Sequence, residues 1–228
     1  LERQSFPGGG VVTRELNTPG YWHDVHSSVH IMIQANPMIT EDELGLIADF
    51  GLDYRYSDVP YASIFPGNET LITYKDLDKS CAEIAKFSER DAETYRAFAK
   101  RSMAMLPMFA SGLYAPPLPL GPFMAMMDSS DEGRLIMDAM YRSSLDIINQ
   151  YFTDDRVKMH FLKLVTENLQ LPDELGTGMG IFLMPGIIHT YGVSQPKGGS
   201  GGLTDALVKC FEHHGGEIRL DAEVEHVI

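Results

Sequence analysis

Cysteine is scarce. Cys81 and Cys210 are the only two, far apart and without metal-ligand spacing. That argues against a disulfide framework and fits a reducing compartment. Basic charge is short as well. Lys and Arg number 18 against 32 Asp and Glu, a net charge of −14. A general nucleic-acid binder needs a basic surface, so that class is disfavoured. No run of roughly eighteen apolar residues occurs, and no transmembrane helix is expected. No secretory leader is recognisable and no initiator methionine is present. The chain opens on Leu1-Glu2-Arg3 and closes on "AEVEHVI", which reads like the middle of a strand. A segment of a longer cytoplasmic protein is therefore expected, with peripheral membrane contact left open. Internal repeats and low-complexity tracts are absent. What remains is an ordinary globular balance, 44% hydrophobic and 22% charged, in 228 residues. That is enough for one large domain or two small ones.

The pattern along the chain is mixed. Residues 1–20 are rich in Gly and Pro and read as loop with a short helical turn. "TEDELGLIADF" (40–50) predicts a helix, with Thr40 as N-cap, Glu43 completing a capping box and Gly51 as the stop. "DYRYSDVPYASIF" and "TLITY" read as strands joined through the "PGNE" turn. A helix should start at Ser88, and Pro107 should kink or end it. Residues 114–123, "YAPPLPLGPF", exclude regular structure and read as a linker or lid-like loop. Two amphipathic helices are expected over 131–152 and 154–169. Residues 176–192 read as a buried, tightly turned, glycine-rich segment. A glycine loop then feeds a helix that ends at Gly215-Gly216, and "EIRLDAEVEHVI" alternates like a strand. The fold class this implies is α+β, with the helical block as an insertion.

Candidate chemistry begins with "YWHDVHSSVH", residues 21–30. His26 and His30 are four apart and would share one face of a helix, as in a two-histidine zinc pair. A catalytic zinc needs a third ligand and an activated water, and the glutamate of an HExxH pattern is missing: position 27 is Ser. The favoured reading is a set of polar residues packed near a cofactor and hydrogen-bonded to backbone; no metal is expected. Two glycine clusters follow a different logic. In "PGGGVVT", Gly8, Gly9 and Gly10 let backbone amides approach an anion closely, although a plain turn would read the same way. Glu2 lies just upstream, and an acid at a strand end is how dinucleotide-binding folds hold a ribose hydroxyl. In "PKGGSGGLTDALVKCFEHHGGEIRLDAEVEHVI", a glycine loop, a helix, a double glycine and a strand-like tail form one extended pattern.

With "LERQSFPGGGVVTREL", "PGYWHD", the "F-P-G…L-I-T-Y" hairpin and that last pattern in view, the chain resembles the phytoene desaturase-like FAD-dependent oxidoreductases, relatives of the amine oxidases. The resemblance spans nearly the whole length, closest at the two ends and loosest through the helical middle. It implies part of an α/β FAD-binding two-domain fold. Residues 1–30 would be a remnant of the FAD-binding domain, 31–195 a substrate domain of mixed sheet and helical insertion, and 196–228 the return into the FAD-binding domain. It also implies site residues. Glu2 would bind the adenosine ribose. Arg3 and the Gly9-Gly10 backbone would lie along the FAD phosphates, with Thr13 nearby. Val224 would pair through its backbone with the adenine. Gly198, Gly199 and Gly201 would form a close turn where a helix N-terminus faces the flavin or substrate cavity. Asp24 and its histidine neighbours would stand at the cofactor's edge, where His23 or His26 either touches flavin or substrate or belongs to a structural polar cluster. The family's N-terminal GxGxxG turn and its C-terminal glycine–aspartate segment are not in this sequence.

Remaining candidates have plain alternatives. The methionines of 103–140 suit an adaptable apolar cavity but also an ordinary core. Glu167, Asp173 and Glu174 could act as acid or base, although solvated surface is the simpler reading. No catalytic residue is assigned. The function expected is the central portion of an FAD-dependent oxidoreductase that moves a hydride from a mostly apolar small molecule to flavin. A non-catalytic helical binding module on a flavoprotein-like scaffold is the alternative. The lipophilic substrate itself, the electron acceptor and the oligomeric state are not readable.

Overall fold

A computed structural model describes residues 1–166 and 170–227. In chain order the elements are β1 (Thr13–Glu15), β2 (Trp22–Asp24), a 3-10 turn (Met32–Ala35), α1 (Pro37–Thr40), β3 (Tyr54–Ser57), β4 (Tyr61–Ile64), β5 (Thr70–Thr73), α2 (Leu77–Ala85), α3 (Glu89–Leu113), α4 (Leu120–Asp128), α5 (Asp131–Tyr141), α6 (Ser144–Tyr151), α7 (Asp155–Thr166), α8 (Gly178–Thr190), β6 (Val193–Pro196) and α9 (Gly201–His213). They divide into two compact units, Leu1–Ser57 with Val193–Ile228, and Asp58–Gly192. Small antiparallel sheets among many helices are compatible with the α+β expectation.

The first unit joins the two ends of the chain. β1 pairs with β2 in a hairpin inside the stretch read as loop. β3 pairs with β6 across most of the sequence, and His30 bridges to Ser194 on β6. Its core holds Ile39, Leu46, Leu52, Leu203, Ala206 and Cys210. The helix expected over 40–50 does not form. α1 stops at Thr40, capped at its start by Asn36 rather than by Thr40. Asp42 then takes a left-handed conformation (φ 49°), as does Gly45 (φ 65°). The Asp42 carboxylate accepts from Ile47 N and Ala48 N at 2.9 Å each, a local alternative to helical bonding. The tail is a second correction. Residues 217–227 form no strand; three backbone bonds tie Arg219, Asp221 and Ala222 to Glu2 and Gln4.

The second unit is mostly helical. The β4–β5 hairpin forms as expected, and its turn carries two left-handed residues, Gly67 (φ 85°) and Asn68 (φ 63°), the requirement of the tightest hairpin turns. Ser88 caps α3 by accepting from Asp91 N at 3.1 Å. Pro107 does not end α3, which continues to Leu113. Residues 114–119 are irregular, but α4 begins at Leu120 inside the predicted loop. Pro122 fits there because the first turn of a helix needs no amide donors. The predicted helix over 131–152 breaks in two, because Ser143 caps a new helix by accepting from Asp146 N at 3.1 Å. Glu167 lies outside the described residues.

The glycine-rich segment 176–192 is a helix, α8, and not a tight turn. Pro185 in its middle cannot donate. The Ser102 hydroxyl, fully buried on α3, fills the neighbouring step: Gly186 N donates to it at 2.7 Å and it donates to the Phe182 carbonyl. A side chain at Gly186 would strike Ser102, so glycine here permits close helix contact. Around α8 the rings stack in pairs, Phe98 with Phe182 (4.7 Å) and Tyr95 with Phe161 (4.6 Å). Met105 and Met127 are buried with Ile136, so methionines here serve as ordinary core.

Candidate functional site

In the first unit, four segments meet at the start of α9. Thr13 and Asp24 are opposite one another in the β1–β2 register. The Thr13 hydroxyl donates to Asp24 Oδ1 at 2.6 Å and accepts from Gly201 N at 2.9 Å. Asp24 Oδ1 also accepts from Ser200 N at 2.8 Å and from the Ser200 hydroxyl at 3.1 Å. Asp24 Oδ2 accepts from Gln195 Nε2 at 2.7 Å. The first amides of α9 are therefore capped by side chains from the far end of the chain. A carboxylate is well placed there, because the helix dipole favours negative charge at its N-terminus. Burial pushes the Asp24 carboxyl up, and the bonds from Thr13, Ser200 and Gln195 outweigh it and bring it below the ordinary value.

The glycines shape both sides of this clamp. Gly8 (φ 99°) turns the loop so closely that a side chain would strike Thr204, whose hydroxyl holds the Val11 carbonyl at 2.6 Å. Gly199 (φ 104°) packs onto Thr13 and Asp24, again with no room for a side chain. Gly9 (φ 57°) and Gly198 (φ 86°) face open space instead. Beside the first loop runs an apolar groove of about 350 Å³ lined by Pro7, Gly8, Val11, Leu203, Leu207 and Phe211.

Thr13, Asp24 and Gly199, singled out in the sequence, are brought together. Gly10 lies close to the ring of His26, and Ser27 N donates to the Gly10 carbonyl at 3.3 Å. Glu2 accepts from Gln4 N through Oε1 at 2.7 Å, and its backbone bonds Arg219 and Ala222. Arg3 pairs with Glu223 at 3.6 Å, both about two-thirds exposed. Val224 is half exposed. Ser200 and Gln195 were missed; Ser200, at the end of the glycine loop and just before a helix, carried the only signal. His26 and His30 do not converge on a shared ligand. Among the described residues no group of three or more His, Cys, Asp or Glu side chains is placed to hold a metal. No described helix is long and apolar enough to cross a membrane.

Asp24→Ala is expected to lower the stability of the first unit by about 2 kcal/mol, because four donors lose an ionised acceptor. The sign with pH follows from the lowered carboxyl. Its contribution is complete above about pH 4 and fades as pH falls through the folded value. Urea unfolding of both proteins at neutral and acid pH checks this: the gap between them should narrow in acid, and a constant gap would refute the clamp.

No protein-family model matches the chain. It is 28% identical over its whole length to the phytoene desaturase (lycopene-forming) of Pseudescherichia vulneris, covering 44% of that protein. It is 30% identical over 152 residues to the phytoene desaturase (lycopene-forming) of Pantoea ananas, 64% of this chain and 28% of that one. These relatives support a phytoene desaturase-like family for the chain. A limonene dehydrogenase component from Castellaniella defragrans is 37% identical over 97 residues, 42% of this phytoene desaturase-like chain and 17% of that protein. The names of all three relatives denote oxidoreductases. The chain spans less than half the length of the curated relatives it matches.

Proposed function

We propose that the chain is the central portion of an FAD-dependent oxidoreductase that moves a hydride from a mostly apolar small molecule to flavin. The observation that carries this reading is end-to-end similarity to a phytoene desaturase, in a chain whose two ends close on one glycine-lined clamp. The relatives' names denote desaturation and dehydrogenation of hydrocarbons, which supports an apolar substrate. When bound, the flavin would accept the hydride.

The residues present fit that group. Residues 1–30 and 196–228 would supply its domain, and 31–195 the substrate domain. The outward-facing Gly9 and Gly198 leave backbone accessible where a phosphate or ring edge can approach. Glu2 would accept from the adenosine ribose, Arg3 and the Gly9-Gly10 backbone would follow the phosphates, and Val224 would pair with the adenine. Thr13, Asp24 and Gly199 would hold these loops in register. Thr13 has both its donor and its acceptor role filled inside the protein, so its work is positional.

On the second unit, Leu113, Leu118, Leu120 and Met126 are exposed in a stretch, 102–127, that carries no charged residue. Such a surface supports contact with a lipophilic substrate or with the membrane that dissolves it. No described side chain is assigned as acid or base.

The test is to express the segment with its flanking coding sequence and to measure bound FAD by visible absorbance and by release on denaturation. About one FAD per chain is expected, and Gly9→Val should lower occupancy at least tenfold without unfolding the protein. A complete, folded protein that takes up no FAD on reconstitution would sink the reading in favour of a binding module.

A further inference from the structure

Beside the 3-10 turn of the first unit lie two buried polar atoms with no partner, His30 Nε2 and Gln34 Nε2. His30 is 6% exposed and Gln34 3%. Unpaired buried polar groups are rare in folded proteins, and each one calls for an explanation. These two are arranged alike. His30 Nδ1 meets the Tyr54 hydroxyl at 2.8 Å, and Gln34 Oε1 accepts from the Tyr56 hydroxyl at 2.7 Å. Tyr54 and Tyr56 are two apart on β3, so they point to the same face of the strand. The result is two parallel rungs, each with a phenol at one end and an unpartnered nitrogen at the other.

The phenols decide what those nitrogens offer. Burial, with a smaller contribution from Tyr56, pushes the Tyr54 hydroxyl up to about 12, so it keeps its proton. Donation to His30 Nδ1 uses that proton and leaves the hydrogen of the ring on Nε2. Burial also pushes His30 down, against a weaker pull from Asp24, and keeps the ring neutral. Tyr56 donates to the Gln34 carbonyl oxygen, which turns the NH2 group away. Ser194 locks the backbone at this point: His30 N donates to its carbonyl at 2.8 Å, and its hydroxyl donates to the His30 carbonyl at 2.7 Å. Two N–H donors are thus held at preset positions, as a binding site prepares them and a packed core does not.

We infer that His30 and Gln34 form a two-donor seat for the carbonyl oxygen of a bound organic molecule, either a flavin ring or a quinone. For the flavin source this rests on the proposed function; for the quinone it does not. Both nitrogens are closed to water in this conformation, and Tyr56, half exposed, is the least buried member of the cluster. Entry is therefore expected on the Tyr56 side.

The experiment uses the full chain, labelled with nitrogen-15, and follows the Gln34 carboxamide and His30 ring signals by NMR. FAD and a water-soluble benzoquinone are the probes, added separately. One of them should move the Gln34 NH2 protons downfield in a saturable way. Gln34→Leu should weaken that probe about fivefold, the worth of one hydrogen bond, while the melting temperature of the free protein holds or rises. His30→Phe is the second variant, with the same expectation. A response to FAD alone assigns a flavin carbonyl, and a response to the quinone alone assigns an electron acceptor. FAD that binds without moving Gln34 overturns the inference and leaves the cofactor reading standing. A quinone response in a protein that takes no FAD does the reverse. No response to either probe, or variants that lose stability and keep their affinity, means a trapped water or a packing role and overturns the inference.

Discussion

Replacing His160 by leucine is expected to cost the second unit about 2–3 kcal/mol at neutral pH and to blunt its sensitivity to acid. The ring is fully buried on α7. Its Nδ1 meets the Ser63 hydroxyl and its Nε2 the Thr73 hydroxyl, each at 2.8 Å, so it ties both strands of the β4–β5 hairpin to a helix. Tyr61 stacks on it at 4.4 Å. Leucine keeps much of the volume but strands the Thr73 hydroxyl, which is 1% exposed. Burial, with Lys163 acting in the same direction, pushes the imidazole down to about 3. The sign follows from that value. The folded state holds His160 neutral, whereas the unfolded chain protonates it near pH 6.5. Its contribution is therefore complete above about pH 6.5 and is lost as pH falls toward 3, at about 1.4 kcal/mol per pH unit. Denaturant unfolding of both proteins from pH 7 to pH 4 reads this directly. The stability gap between wild type and variant should shrink at about that rate, and parallel pH profiles would refute a buried neutral His160.

Asp91→Ala should cost the same unit about 3 kcal/mol. Asp91 is completely buried at the third position of α3, where the helix dipole favours its charge. Its carboxylate accepts from Thr153 N, from the Thr153 hydroxyl at 2.8 Å and from Asp154 N at 2.8 Å. Those residues immediately precede α7, so one carboxylate fixes the starts of two helices 62 residues apart. Thr153 is exposed, and its groups can turn to water in the variant. That keeps the cost below the loss of a wholly buried partner set. Asp91→Asn retains one acceptor oxygen and should lose about half as much. Thermal unfolding of the three proteins checks the order; an alanine variant within about 0.5 kcal/mol of wild type would show that the contact is incidental.

Asp91 and His160 also mark the limit of sequence reading. Ser88 and Asp91 were legible as a helix start because capping is local. The second role of Asp91, on Thr153, depends on two helices meeting, which no local pattern encodes. His160 sat unnoticed in an amphipathic helix, since a buried, satisfied histidine has the same spacing as a surface one. Short-range chemistry was also misread where tertiary contacts overrode it. Pro107 and Pro185 sit inside helices because burial against α8 and the inserted Ser102 hydroxyl offset their missing donors. Asp42 and Gly45 broke the helix predicted over 40–50 because side-chain capping and left-handed backbone won over propensity.

At the candidate site the same division holds. The Gly8–Gly10 and Gly198–Gly202 clusters, with Thr13 and Asp24 between them, could be picked out because left-handed turns and close approach demand glycine whatever the rest of the chain does. The acidic balance and the lack of long apolar runs are properties of composition alone. Only the tertiary structure paired β3 with β6, seated Asp24 on the amides of α9, and left His30 and Gln34 with unpaired nitrogens. The physical reason is range. Turn and cap chemistry acts over a few residues, whereas burial and hydrogen bonding between distant segments depend on which surfaces the folded chain brings into contact.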